Sequence, residues 1–141
     1  MERISLRAPA KVNLRLAVLG KRPDGYHEIE TWIYPISLAD ELHLTKLNEK
    51  KITIVSSHPH LPGGEENLAH RAAALFIEEG GLSEGIQIEI IKRIPLAAGL
   101  GGGSSDAAAV LKAMNRLWGS RVAPDRLMAM GARIGADVPF F

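Results

Sequence analysis

The chain contains no cysteine, and only 5% of its 141 residues are aromatic. The absence of cysteine excludes disulfides, a thiolate zinc site and a cysteine nucleophile. Its formal net charge is +1, so it lacks the strong basic excess that is typical of proteins that bind nucleic acids. No apolar run approaches the ~20 residues that a membrane-spanning helix needs. These absences argue against nucleic acid and membrane as partners.

The N-terminal segment carries charges at Glu2, Arg3, Arg7 and Lys11, which interrupt the apolar core that a signal peptide requires. We therefore expect a cytoplasmic protein. A chain of 141 residues is long enough for one domain with a buried core and too short for two ordinary domains. It closes on the apolar run Val138-Pro139-Phe140-Phe141, and we expect it to be a fragment of a longer protein.

The hydrophobic pattern predicts strands in the first half of the chain and helices in the second, which favours an α+β layer fold over alternating βαβ units. Alternating apolar and polar side chains predict strands over residues 4–8, 12–19, 28–36, 41–47, 51–56 and 85–91. Helical spacing predicts helices over residues 66–79, 105–118 and 124–135, the first of which stops at Gly80-Gly81.

A glycine-rich segment lies between the last predicted strand and the helix after it. It runs Pro95-Leu96-Ala97-Ala98-Gly99-Leu100-Gly101-Gly102-Gly103-Ser104-Ser105 and continues into an alanine-rich pattern. Glycine lets a ligand approach the main chain, and a helix start presents unpaired amides at the positive end of the macrodipole. We expect Ser104 or Ser105 to cap this helix. Bare amides that lead into a helix N-terminus predict a site for nucleotide phosphates.

The known phosphate loops do not fit this segment. The P-loop needs a lysine directly after its last glycine, and no glycine here supplies one. The dinucleotide fingerprint would need glycine or alanine where Ser104 stands. The glycine loop of protein kinases lies between two strands, whereas this one opens a helix. The sequence therefore predicts a phosphate loop of another kind.

Lys11 and Asn13 project from the same face of a predicted strand. A lysine within an apolar strand is costly to bury unless it meets an anion, but without context an edge-strand lysine that faces water is the more common explanation of Lys11. Asp137 is either a turn residue or a protected catalytic base ahead of an apolar strand. His58-Pro59-His60 lacks a third ligand, so we expect no metal site there.

Asn67 and the pair Tyr26-His27 also allow two interpretations. A helix cap is a sufficient explanation of Asn67 from the sequence alone. Tyr26 offers a stacking face after the predicted turn at residues 21–25, and His27 offers a donor or acceptor beside it. Without context, His27 is more often a surface histidine than a ligand contact.

Three segments together resemble the GHMP kinase superfamily, which includes galactokinase, homoserine kinase and mevalonate kinase. They are Ala8-Pro9-Ala10-Lys11-Val12-Asn13-Leu14, the glycine-serine loop, and Gly135-Ala136-Asp137-Val138-Pro139-Phe140-Phe141. Within the superfamily, Lys21-Arg22-Pro23-Asp24-Gly25-Tyr26-His27-Glu28 resembles the branch that acts on 4-diphosphocytidyl-2-C-methyl-D-erythritol. The resemblance implies that residues 1–141 form the N-terminal, ATP-binding domain, of the ribosomal protein S5 domain 2 type. The C-terminal domain of such kinases would lie outside this chain.

The resemblance also implies a role for each candidate site residue. Lys11 and Asp137 would be the catalytic pair and would meet the acceptor hydroxyl from two strands. Residues 95–105 would wrap the ATP phosphates, with a serine of that loop near Mg²⁺, and Asn67 would lie near the adenine. Asn13, Tyr26 and His27 would contact the substrate, with Tyr26 stacked on cytosine and His27 bonded to its edge.

The implied reaction transfers the γ-phosphoryl group of ATP to the C2 hydroxyl of this substrate, a cytidyl diphosphate sugar alcohol of non-mevalonate isoprenoid precursor synthesis. Two alternatives stay open at this point. One is a kinase of the same superfamily that acts on another alcohol, such as mevalonate or homoserine. The other is a nucleotide-binding domain without catalysis.

Overall fold

The computed structural model describes residues 2–21, 23, 27–96 and 99–141, and of residues 14–21 and 27–32 it describes the backbone alone. In this part of the chain, four strands form one sheet: β1 (Arg3–Lys21), β2 (His27–Leu47), β3 (Ile52–Ser56) and β4 (Gly85–Ile91). The helices are α1 (Leu68–Gly80), α2 (Gly102–Leu117) and α3 (Pro124–Ile134), and a 3₁₀ turn follows at Val138–Phe140.

The strand order in the sheet is β1-β2-β4-β3. The β1–β2 and β2–β4 pairs are antiparallel, whereas β3 and β4 run parallel. A parallel pair needs a crossover connection, and α1 supplies it between β3 and β4. The predicted α+β class is confirmed, with one βαβ unit that the hydrophobic pattern did not indicate.

The two longest strands each replace a pair of shorter predicted strands. Residues 4–8 and 12–19 lie in the single strand β1, and residues 28–36 and 41–47 lie in β2. The register of this pair shifts at 9/11, 13/15 and 18/20. Such bulges reset the alternation of side chains without ending the strand, and Pro9 is tolerated beside one because β1 lies at the sheet edge. The turn predicted at residues 21–25 lies largely outside the described residues.

The core lies between one face of the sheet and the helices. The sheet contributes large buried side chains, namely Leu42, Leu44, Ile86, Ile88 and Ile90. The facing sides of α1 and α2 are rich in buried alanine, such as Ala72 and Ala109. Small side chains let the two helices pack closely on each other and on the strands. The N-terminal end of α2 is thereby held against the sheet, beside β1.

Two helix starts show where capping was predicted well and where it was not. The Asn67 side chain caps α1 and accepts a hydrogen bond from the Ala69 amide at 2.9 Å, so its capping role is confirmed. Gly81 ends α1 in the left-handed conformation, as predicted. The prediction that Ser104 or Ser105 caps α2 is wrong, because the helix already begins at Gly102 and its N-cap Gly101 makes no side-chain bond.

Candidate functional site

The glycine loop turns directly into α2. Gly99 and Gly101 both have φ of +72°, a conformation that favours glycine. The Ser105 amide donates to the Gly101 carbonyl at 2.8 Å, which closes the first helical hydrogen bond. The amides of residues 102–104 precede that bond and have no acceptor inside the helix. Uncapped amides at the positive end of a helix form the kind of site that binds phosphate groups.

The loop lines a pocket of about 300 Å³, which is at the small end of the range for ligand pockets. Its walls are Leu61, Leu68, Lys92, Pro95, Leu96, Gly99, Gly101, Gly102, Gly103 and Ser104. Most of the loop residues that were predicted from the sequence to bind ATP therefore line the same cavity. Leu100 and Ser105 belong to the same segment without lining it, and Ala97 and Ala98 lie outside the described residues.

Lys11 is buried beneath the glycine loop, so the interpretation of a lysine in water is wrong. Its backbone amide donates to the Leu100 carbonyl at 2.8 Å, and its ammonium donates to the Gly99 carbonyl at 3.2 Å. A Cβ atom on Gly101 would lie 2.9 Å from the Lys11 Cγ atom, so only glycine leaves room there. An ammonium has three donors, and one carbonyl leaves it able to bind an anion.

Asp137 lies in the segment that packs against the same loop. A Cβ atom on Gly101 would lie 3.2 Å from the Phe141 ring, and one on Gly135 would lie 3.9 Å from the Ser104 hydroxyl. Asp137 is exposed and precedes the 3₁₀ turn at Val138–Phe140, so the prediction that it reaches the site from a strand is wrong. Pro139 explains the difference, because proline favours a turn over a paired strand.

The structure thus brings Lys11, the glycine loop and the segment of Asp137 together at the N-terminal end of α2. The Lys11 ammonium bonds to the Gly99 carbonyl and not to Asp137. Asn13 is exposed on β1 and shares a face with Lys11, since the register between them is regular. His27 begins β2, where the backbone alone is described, and Tyr26 lies outside the described residues.

Asn67 lies next to this pocket, but both ends of its amide are used within the protein. Its nitrogen donates to the Pro62 carbonyl at 2.9 Å, while its oxygen caps α1. The neighbouring Leu68 side chain lines the pocket. Any role of Asn67 near an adenine would therefore depend on its position at the cavity wall rather than on a free amide group.

Beneath the loop lies a buried ionic cluster of Asp40, Lys92 and Asp106 that sequence reasoning missed. The Lys92 ammonium lies 2.6 Å from the Asp40 Oδ2 atom and 3.2 Å from the Asp106 Oδ2 atom. All three side chains are at most 2% exposed. Asp40 follows the apolar pair Leu38-Ala39 of β2, and Asp106 precedes the apolar run of α2. Nothing local indicates that they meet.

The two carboxyl groups of this cluster titrate in opposite directions. Burial and a hydrogen bond with Asp40 raise the pKa of Asp106 from 3.8 to about 8, against the attraction of Lys92. Burial alone would raise the pKa of Asp40, but hydrogen bonds from Asp106, the Ile94 amide and Lys92 hold it below its ordinary value. At neutral pH Asp106 is therefore protonated and Asp40 ionised.

No group of three His, Cys, Asp or Glu side chains suited to a metal ion occurs among the described residues. The same part of the chain holds no helix that is long and apolar enough to cross a membrane. The Ser105 hydroxyl is buried without a hydrogen-bond partner in the described structure, although it lies in the first turn of α2. The free amides of residues 102–104 and the Ser104 hydroxyl line the pocket instead, and such donors suit phosphate oxygens better than a bare cation.

The family model described as the GHMP kinases N terminal domain matches residues 67–141. The chain therefore belongs to the GHMP kinase family. Over 138 residues, or 98% of this chain, it is 51% identical to a Bacillus licheniformis protein named 4-diphosphocytidyl-2-C-methyl-D-erythritol kinase, of which it covers 48%. An Alkaliphilus metalliredigens protein of the same name is 46% identical over 140 residues, which are 99% of this chain and 48% of that protein.

A crystal structure of 4-(cytidine 5'-diphospho)-2C-methyl-D-erythritol kinase matches with a TM-score of 0.82 and 47% identity, over 98% of this chain and 48% of the other. The structure of homoserine kinase from Cytophaga hutchinsonii, 23% identical, matches with a TM-score of 0.74 over 95% of this chain and 41% of the other, and shares the fold alone. This chain spans about half the length of the curated relatives that it matches.

The raised pKa of Asp106 predicts that the protein loses stability as the pH increases. Between the ordinary value of 3.8 and about 8, the folded protein holds the Asp106 proton while the unfolded chain releases it. Raising the pH through this window therefore favours unfolding. The free energy of unfolding is measured with urea at pH 5, 6.5 and 8. Between pH 5 and pH 8, the value for Asp106→Asn should rise relative to that of the wild type by about 1 kcal/mol or more. One proton allows a change of at most ~1.4 kcal/mol per pH unit.

Asp125→Asn is the matched control, because Asp125 is exposed in the first turn of α3. Its unfolding free energy should follow that of the wild type at each pH. The lowered pKa of Asp40 affects stability only below pH 3.8, outside the measured range. If the free energy of unfolding of Asp106→Asn has the same pH dependence as that of the wild type, Asp106 is ionised in the folded protein.

Proposed function

We propose that this chain is the ATP-binding domain of a 4-diphosphocytidyl-2-C-methyl-D-erythritol kinase. The reaction transfers the γ-phosphoryl group of ATP to the C2 hydroxyl of that substrate. The observation that carries the proposal is the uncapped start of α2 at Gly102, with the buried Lys11 ammonium directly beneath the loop. Residues 1–141 supply the half of the kinase that holds the phosphate loop and both catalytic residues.

The geometry supports a division of roles around the triphosphate. The free amides of residues 102–104 and the hydroxyl of Ser104 would hold phosphate oxygens at the mouth of the pocket. Mg²⁺ would be bound with ATP near this serine, because it prefers substrate phosphates and water over an all-protein cage. When bound, this ion would supply positive charge against the negative charge that develops on the phosphoryl oxygens. Asn67 would border the adenine from the cavity wall.

Lys11 and Asp137 would act on the acceptor hydroxyl. Phosphoryl transfer proceeds through a loose transition state, so positioning and electrostatic stabilisation provide most of the catalysis. Lys11 would stabilise negative charge near the hydroxyl. Asp137 is exposed at the open side of the loop, where it would orient the hydroxyl or accept its proton.

The choice of substrate is supported by the named relatives at about half identity, which are 4-diphosphocytidyl-2-C-methyl-D-erythritol kinases. In this proposal Asn13, Tyr26 and His27 contact the substrate, and Tyr26 stacks on its cytosine. Asn13 is exposed on the Lys11 face of β1, which is consistent with this role. The alternatives, another alcohol such as mevalonate or homoserine and nucleotide binding without catalysis, are not favoured by the comparisons.

The proposal is tested with the protein as its gene encodes it. Incubated with Mg²⁺-ATP, it should form ADP when 4-diphosphocytidyl-2-C-methyl-D-erythritol is present, and ³¹P NMR should detect a new phosphomonoester at C2. Mevalonate and homoserine should give no ADP above the background. Turnover of either of these alcohols alone would replace the proposed substrate, and ATP binding without any turnover would favour the non-catalytic alternative.

The loop assignment predicts a specific effect of a methyl group at Gly101. Gly101→Ala adds a Cβ atom 2.9 Å from the Lys11 Cγ atom and strains a backbone with φ of +72°. The loop must shift away from the phosphate position, so ATP affinity measured by calorimetry should fall by more than about tenfold. Gly81→Ala is the matched control, since Gly81 has φ of +59° and no neighbour within 4 Å. Equal ATP affinities in the two variants would refute the phosphate loop.

The catalytic assignment predicts loss of turnover without loss of nucleotide binding. Asp137→Asn keeps the size of the side chain and removes its charge, so kcat should fall by at least ~10²-fold while ATP affinity changes little. Lys11→Met should lower kcat to a similar extent, and the double variant should be little worse because the two residues act as a unit.

The folded fraction of each variant is measured in parallel by circular dichroism. If the two residues are only structural, the variants will have altered melting temperatures and a normal kcat per folded molecule. Near-normal turnover in Asp137→Asn would remove this residue from the chemistry.

A further inference from the structure

The glycine loop has two ends, and one buried side chain bonds directly to its leading end. The Asp40 Oδ1 atom accepts hydrogen bonds from the Arg93 amide at 2.7 Å and from the Ile94 amide at 2.9 Å. Pro95 follows immediately and begins the loop. Asp40 on β2 therefore fixes the backbone at the point where the chain leaves β4 and enters the loop.

The trailing end of the loop is tied to the same place through Lys92. Asp106 lies in the second turn of α2, and its Oδ2 atom accepts from the Lys92 ammonium at 3.2 Å. Lys92 in turn donates to the Asp40 Oδ2 atom at 2.6 Å. A Cβ atom on Gly102 would lie 2.8 Å from the Lys92 nitrogen and 3.0 Å from the Ile94 Cγ2 atom, so α2 begins in close contact with the leading end.

A buried ionic cluster such as this one adds little to the free energy of unfolding, so stability alone does not explain it. Buried ion pairs lose so much hydration that well-packed apolar side chains often serve as well or better. Their best-attested benefit is to fix one geometry, which apolar contacts do less strictly. The cluster lies where the two ends of the loop, residues 93–95 and the start of α2 at Gly102, come together, and we call this place the neck of the loop. The geometry of the neck decides whether the amides of residues 102–104 converge on one anion.

We infer that Asp40, Lys92 and Asp106 form a clamp across the neck of the glycine loop, and that this clamp sets the affinity of the loop for the phosphates of ATP. The inference rests on the proposed function, because it assigns positioning residues to the proposed ATP site. Asp106 acts through Lys92 and the start of α2 rather than by touching the nucleotide.

The charge of the clamp agrees with this role. Among the described side chains, the charged groups that face Asp106 are Lys92, from the segment after β4, and Asp40, from β2. Lys11 of β1 also lies beneath the loop, but it bonds to the Gly99 carbonyl instead. Because the pKa of Asp106 is about 8, the clamp holds one ammonium and one carboxylate at neutral pH and does not repel a polyanion.

Two substitutions of Asp106 separate positioning from folding. Asp106→Ala removes the link to α2 and leaves the Lys92–Asp40 pair intact, whereas Asp106→Asn keeps an oxygen that accepts from Lys92. Calorimetry with ATP in the protein as its gene encodes it should show affinity per folded molecule reduced about fivefold or more in Asp106→Ala, and within about twofold of wild type in Asp106→Asn. KM for ATP should rise in Asp106→Ala while kcat at saturating ATP changes little.

Hydrogen exchange in the nucleotide-free protein tests the clamp independently of ATP. The Ser105 amide, bonded to Gly101, and the Lys11 amide, bonded to Leu100, report on the loop. Both should exchange at least about tenfold faster in Asp106→Ala if the neck opens locally. The Leu82 amide, bonded to the Ile77 carbonyl at the end of α1, is the internal reference and should not change.

Lys46→Met is the control variant, because Lys46 pairs with Glu2 and Glu84 beside the start of β4, at the opposite end of that strand from the loop. It should leave ATP affinity and both loop amides unchanged. Wild-type ATP affinity and loop exchange in Asp106→Ala would overturn the clamp, as would faster exchange that includes the Leu82 amide. A wild-type protein that binds no ATP would refute the proposed function, while the exchange comparison would still decide on the clamp.

Discussion

The uncapped start of α2 is the constraint on which the rest of the site depends. A helix normally satisfies its first amides with a side-chain cap, and here the N-cap position is Gly101, which has none. Those amides must find their partners in water or in a ligand. The closely packed alanine faces of α1 and α2 fix the direction of the helix, and therefore where these donors point. Lys11, Lys92 and the segment of Asp137 are placed around this helix end.

The parts of the site that local chemistry dictates were predictable. The run of glycines before an alanine-rich pattern predicted bare amides at a helix start, which the structure has at Gly102, while phosphate binding by these amides stays a prediction. Asn67 was recognisable as a cap because asparagine one residue before a helical pattern has a specific bond to make. Lys11 in an apolar strand raised the possibility of an anion site, but a lysine in water was the more common explanation until its burial was known.

What the sequence did not reveal depends on contacts between distant residues. Lys92 is 52 positions from Asp40 and 14 from Asp106, and no periodicity links them. The start of α2 was placed too late because serine is the better cap in general, whereas Gly101 reaches the φ of +72° that joins loop to helix. The bulges of β1 were missed because each one inverts the alternation that sequence patterns rely on.

The two lysines under the loop differ in what balances their charge, and this difference determines what each can do. The Lys92 ammonium lies 2.6 Å from the Asp40 carboxylate, which balances its charge within the protein. The effect of Lys92 is therefore to hold the two ends of the loop in position. Lys11 is bonded to a neutral carbonyl in the described part of the chain, so its charge is retained. Burying an ammonium without a counter-ion is unfavourable. In the proposed function, a triphosphate in the neighbouring pocket would supply the missing counter-ion and would place the Lys11 ammonium close to the group that is transferred.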